Sequence, residues 1–194
     1  HYAYAHIFKP LGLQSTFFLP PLTRRKDIAP TEIMRGELRW GEVHDPTAWL
    51  MGGVAGMAGL FSTAHDIGVF ADMLLRHGMT NQQQQVLSAD SVTMMTTPQT
   101  PALLPEARGL GFDIRSPLAC GGQYFSAQSY GHTGWTGTSL WIDPVTQTWL
   151  VILTNRVHPQ PQAVNALLTD RVRIADVIGH AVNDVSTSTM PASA

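Results

Sequence analysis

The chain has 194 residues, of which 44% are hydrophobic and only 13% charged, with a formal net charge of −2. That length suits one domain with a real core, and the charge balance gives nucleic acid or an anionic membrane surface no electrostatic reason to bind. The single cysteine, Cys120, excludes an intrachain disulfide and a cysteine zinc site, and no apolar run reaches the roughly 18 residues of a transmembrane helix.

Residues 1–9 read as a helix tail, stopped by Pro10 and Gly12. The first residue is His1 rather than Met, so a start upstream is expected, and no signal peptide is visible. From Pro10 to Thr63 periodicity is weak. Such a long irregular stretch inside a domain points to functional loops or to elements the pattern does not reveal. A helix follows, capped by Ser62 or Thr63, with Asp66 near its start. Its apolar positions are Ile67, Phe70, Ala71, Leu74 and Leu75, and Gly78 stops it. Ser88 caps a second helix carrying Val92, Met94 and Met95, which ends before Pro98. Leu110 to Ile114 alternates as a strand, with Gln123 to Ser126 as a candidate partner. Thr136 to Ile142 and Thr148 to Thr154 are β-branched and aromatic runs joined by a short turn, and they read as an antiparallel hairpin. The last helix spans about Gln162 to Val182, with Val164, Leu167, Leu168, Val172, Ala175 and Ile178 as its apolar stripe. A frayed tail is expected from Ser186 to Ala194. The class is α+β: a thin antiparallel sheet of three or four strands with a covering helix, and an apolar edge left open if upstream strands are absent.

The stretch that carries most information is Gly131-His132-Thr133-Gly134-Trp135-Thr136-Gly137, at the head of the hairpin. Three glycines leave the backbone bare around one histidine. Glycine in a strand pattern marks close approach by another backbone or a ligand, or a bulge. Alternation puts His132 and Gly134 on one face.

Several chemistries are absent. The glycines at 52–59 have no nearby lysine, so they form no phosphate loop, and the Rossmann spacing and the Gly-x-Ser-x-Gly elbow are missing. Eight histidines show no His-Glu-x-x-His pairing, so no metal site is expected, and nothing marks a cofactor. A Ser-x-x-Lys nucleophile pair is missing too. The only lysines are Lys9 and Lys26, preceded three residues earlier by His6 and Thr23. No tyrosine begins a Tyr-x-Asn element.

Four stretches together resemble the β-lactamase-related serine hydrolases, the penicillin-binding-protein fold that includes D-alanyl-D-alanine carboxypeptidases and some esterases. They are Ile7-Phe8-Lys9-Pro10-Leu11-Gly12-Leu13-Gln14-Ser15-Thr16; Gly41-Glu42-Val43-His44-Asp45-Pro46-Thr47-Ala48 with Gly52 to Ala64; Gly131-His132-Thr133-Gly134; and Leu153-Thr154-Asn155-Arg156-Val157-His158-Pro159. The third is similar to the family's Lys/His-Thr-Gly motif. Met57 stands where the second block usually has His, and Trp135 where Phe is usual.

The resemblance implies the C-terminal part of such a fold over residues 1–185. His132 and Thr133 would line the catalytic cleft, and the Trp135 backbone N–H would be one of two oxyanion donors. Gly134, Thr136, Asn155 and His44 would contact substrate, with Gly134 letting an extended peptide pair with the strand edge. It implies a peptide or β-lactam substrate, peptidoglycan as the polymer acted on, and a periplasmic location with any membrane anchor upstream. The family's Ser-x-x-Lys and Tyr-x-Asn elements lie before the first matched stretch. The missing N-terminal part of the domain is therefore an expected partner, and the chain alone is expected to be inactive. The alternatives are a related esterase or a peptide-binding module that has lost the chemistry.

Overall fold

The computed structural model describes residues 1–104, 106–115 and 121–188. Its centre is a five-stranded antiparallel sheet in sequence order: β3 (Ala107–Arg108), β4 (Asp113–Arg115), β5 (Tyr130–Thr133), β6 (Thr138–Asp143) and β7 (Thr148–Leu153). A separate two-stranded ribbon pairs β1 (Ile33–Met34) with β2 (Glu37–Leu38).

Alternation along β6 sorts the molecule into layers. Leu140 and Ile142 face one core with Ala71, Met73 and Leu74 of α3 (Ala64–Leu75), Val92 of α4 (Ala89–Thr96), Phe112 and Tyr130. Trp141, between them, faces Phe125, Leu150 and Leu168 of α5 (Val164–Ser188) on the opposite side. Burying Leu74 and Ile142, at 2% and 0% exposure, stabilises the fold by about 1.5–3 kcal/mol each. The β6–β7 register, Thr138↔Leu153 to Asp143↔Thr148, confirms the expected hairpin. Asp143 at its turn is fully buried, and its carboxylate accepts from Ser126 N (2.7 Å), Ser126 Oγ (2.6 Å) and Val145 N (2.9 Å).

The expected caps hold. Thr63 accepts from Asp66 N at 3.2 Å, and Ser88 accepts from Ser91 N at 3.1 Å. Asp66 does more than favour the helix dipole. It is buried, and its Oδ2 accepts from Ser15 N and Thr16 Oγ1, both at 2.8 Å. This ties the loop after the first helix to α3.

Several expectations are corrected. The N-terminal helix runs through Pro10. A π-helical turn, Tyr4–Phe8, passes into α1 (Lys9–Leu11), and Gly12, at φ 69°, ends it. Pro10 sits in the first turn of the α segment, where a missing N–H is tolerated. The stretch 10–63 is not structureless. It holds a 3₁₀ helix (Leu22–Asp27), the ribbon, α2 (Pro46–Leu50) capped by Asp45, and a bridge between Phe17 and Phe61. Gln123 to Ser126 is a turn rather than a strand, because Ser126 is committed to Asp143. The partners of β4 are β3 and β5. The residues Tyr130–Thr133 at the head of the expected hairpin form a strand of their own, β5, paired with β6. The sheet accordingly has five strands, although β3 has only two residues. α5 reaches Ser188, past the expected start of the tail, and residues 189–194 and Cys120 lie outside the described residues.

Candidate active site

The segment 131–137 is shaped mostly by its own chain. Gly131 is bare because the Trp141 indole and the Leu140 carbonyl lie where a Cβ would point, both at 2.2 Å. Gly137 takes φ 126° and backs onto the Thr154 carbonyl. Neither glycine makes room for a ligand. At Gly134 an added Cβ would lie 2.3 Å from Thr138 Oγ1.

Every carbonyl from 134 to 138 has a donor. Gly134 O takes Gly137 N (3.1 Å), Trp135 O takes Arg156 Nε (2.7 Å), and Thr136 O takes Arg156 N (2.9 Å). Gly137 O takes Thr154 Oγ1, and Thr138 O takes both Gly134 N and Arg171 Nη2 at 2.7 Å. The Trp135 N–H, by contrast, donates to nothing among the described residues. A turn held at each acceptor, with the backbone N–H groups of Trp135 and Thr136 left over among the described residues, is pre-organised to bind a developing negative charge.

β4 pairs with β5 only at Asp113↔Gly131. Among the described residues, the β5 edge beyond that point has no strand partner on the β4 side. The backbone of residues 132–135 therefore offers an open edge to an extended chain.

His132 is exposed on β5, opposite Leu140 and so on the α3 side of the sheet. Its Nδ1 lies 2.7 Å from the Thr133 carbonyl. A carbonyl only accepts, so Nδ1 carries the proton and Nε2 offers its lone pair outward. Nε2 lies 3.5 Å from Arg108 Nη1. Arg108 is two-thirds covered, and its Nε lies 3.8 Å from Glu106 Oε2. The corner thus holds one guanidinium and one imidazole, partly balanced by a carboxylate.

The structure brings together His132, Thr133, Gly134, Trp135 and Thr136, which are contiguous. Thr133 and Thr136 are half-buried. Asn155 and His44 are engaged elsewhere. Asn155 Nδ2 donates to Pro30 O at 2.6 Å, and its Oδ1 accepts from Val157 N at 3.3 Å. His44 Nε2 is 3.2 Å from Glu32 Oε2, an ion-pair distance without hydrogen-bond alignment. Neither makes a hydrogen bond or ion pair to 132–136 among the described residues. A cavity of ≈ 250 Å³, walled by Leu19, Val43, Trp49, Gly53 and Phe61, likewise includes no residue of β5.

Arg108 and Arg156 were missed in the sequence. Arg108 gave no signal, because a two-residue strand has no periodicity. Arg156 stood inside a matched stretch, but its partner is 21 residues away.

Comparison with known proteins identifies the family. A protein-family model described as Beta-lactamase matches residues 1–173. A curated protein of Salmonella agona, named "Putative D-alanyl-D-alanine carboxypeptidase", is 38% identical across 81% of this chain. The chain spans 40% of that relative's length. Among solved structures, a β-lactamase from Mycobacterium bovis superposes with a TM-score of 0.63 at 25% identity, over 93% of this chain and 55% of that one. A simvastatin synthase variant from Aspergillus terreus gives a TM-score of 0.64 at 17% identity, over 94% and 49%, and is similar in fold alone. With the sheet, the covering helices and the matched residues in agreement, the chain belongs to the β-lactamase family.

Proposed function

We propose that the full-length protein is a serine acyl-transfer hydrolase that removes the terminal residue from D-alanyl-D-alanine peptides of peptidoglycan, and that this chain supplies one wall of its cleft. The observation that carries the reading is the Arg108–His132 corner beside an open strand edge, 3.5 Å between their nitrogens. A carboxypeptidase substrate ends in a free carboxylate, and a guanidinium next to the strand edge is suited to holding it. A simple ester has no such group.

In this mechanism a seryl oxygen, supplied by the part of the protein that the longer relatives have and this chain does not span, attacks the penultimate D-alanine carbonyl. The Trp135 N–H takes the oxyanion, together with the N–H of the serine itself. The C–N bond breaks as the departing amine gains a proton, and His132 Nε2 stands where a proton can be relayed. Water then hydrolyses the acyl ester. Gly134 and the edge of β5 hold the peptide extended. A substrate of this kind places the protein in the periplasm.

The test compares the full-length protein on acetylated peptides ending in D-Ala-D-Ala and on short-chain aryl esters, with fluorescent penicillin as a covalent probe. Release of D-alanine and penicillin labelling support the reading. Ester turnover without either indicates an esterase, and binding without turnover indicates a peptide-binding module. The 194-residue chain alone is expected to remain unlabelled. Labelling of it would show a nucleophile within these residues.

A further inference from the structure

The carbonyls of Trp135 and Thr136 are both held by one residue. Arg156 donates its Nε to Trp135 O at 2.7 Å and its backbone N–H to Thr136 O at 2.9 Å. Its guanidinium carbon also sits 4.2 Å from the centroid of the Trp135 ring. Trp135 is 64% exposed, so the indole is gripped on the Arg156 side rather than enclosed. Arg156 itself is buried, at 7% exposure.

A buried guanidinium is costly to desolvate unless paired. Among the described residues Arg156 has no carboxylate partner. Its polar contacts are main-chain carbonyls: Trp135 O, and Gln162 O at 2.6 Å. The Gln162 contact is reciprocal, because Gln162 N donates to Arg156 O at 2.7 Å. The segment leading into α5 is thereby fastened to the same side chain.

We infer that Arg156 is a positioning residue for the oxyanion donor. By gripping the Trp135 carbonyl and ring together, it fixes the orientation in which the unused Trp135 N–H is presented. This rests on the acyl-transfer reading above. Arg156 does not touch the reacting atoms. It acts through Trp135, and its planar fork and stacking face cannot be reproduced by lysine.

The test uses the full-length protein carrying Arg156→Lys, Arg156→Gln or Trp135→Ala, acylated by a β-lactam. Infrared difference spectroscopy reads the ester carbonyl stretch of the acyl-enzyme, which rises when the hydrogen bond to the oxygen weakens. Both Arg156 variants are expected to raise that frequency and to lower the acylation rate by about 10²-fold, with KM changed less than about threefold. Trp135→Ala keeps the backbone N–H and the carbonyl contact but loses the ring, and the exposed indole can be removed without unfolding. It is expected to raise the frequency by less. An unshifted band in the folded Arg156 variants overturns the inference. Should neither Arg156 variant fold, an unshifted band in Trp135→Ala overturns it. A wild type that forms no acyl-enzyme overturns the acyl-transfer reading and this inference with it, whereas an acylating wild type with unshifted variants overturns the inference alone.

Discussion

Arg171 reaches from α5 to place its Nη2 2.7 Å from the Thr138 carbonyl, the same oxygen that takes the Gly134 N–H at 2.7 Å. The covering helix thus braces the start of β6 at the oxygen that also holds the backbone of Gly134, and a side chain at residue 134 would meet the Thr138 hydroxyl.

The two glycines flanking His132 and Thr133 should therefore respond differently to a methyl group. At Gly131 the methyl meets a backbone carbonyl and an indole, which have little room to move, whereas at Gly134 it meets one threonine hydroxyl. Gly131→Ala is expected to cost about 3 kcal/mol or more and Gly134→Ala about 1–2 kcal/mol. Adding Thr138→Ala should restore most of the Gly134→Ala loss and none of the other. Denaturant titration of the four variants decides this, and equal losses at the two glycines would show that the crowding is misjudged.

Arg108 is predicted to read the substrate carboxylate. Replacing it with Gln should raise KM about tenfold or more for peptides with a free C-terminus, the loss of a charge-assisted hydrogen bond. Amidated peptides and aryl esters should be unaffected. If KM rises equally for the amidated peptides, Arg108 supports the strand rather than the ligand.

His132→Ala should lower acylation of the full-length protein by about 10²-fold, within the usual range for a positioned general acid or base. The motivating geometry is the outward Nε2, fixed by the Nδ1 contact to Thr133 O. Stopped-flow acylation by a chromogenic β-lactam measures it, and an unchanged rate would make His132 an ordinary surface histidine.

Tyr130 gives a pH test of the core beneath the site. It is 3% exposed, and burial pushes its phenol up to about 12 from an ordinary 10. Between those values the unfolded chain has released a proton that the folded chain retains. Folding stability is therefore full below pH 10 and falls as pH rises toward 12, by roughly 2–3 kcal/mol from this group. Tyr130→Phe should remove that component, so the wild-type stability should drop relative to the variant between pH 9 and about 11.5 in urea titrations. Parallel curves would place the phenol outside the core.

Some of this was legible before any coordinates. The caps at Thr63 and Ser88 and the β6–β7 hairpin depend on neighbours a few residues apart, and local composition encodes them. That His132 to Thr136 lie together follows from their being consecutive; the roles expected of them came from the resemblance. Where the Asn155 and His44 side chains are engaged was less legible, because Pro30 is distant in sequence from Asn155 and Glu32 lies in a stretch with no clear pattern.

What the sequence by itself determined was the class, the helices with their caps, the hairpin, and one candidate segment framed by glycines. Only the tertiary structure decided what those glycines are for. It placed the Trp141 indole against Gly131, the Thr154 carbonyl against Gly137, and two arginines from later in the chain onto the carbonyls of Trp135 and Thr138. The reason is physical: satisfying a backbone acceptor depends on which donor the packed chain brings within 3 Å, and that distance carries no trace in local spacing.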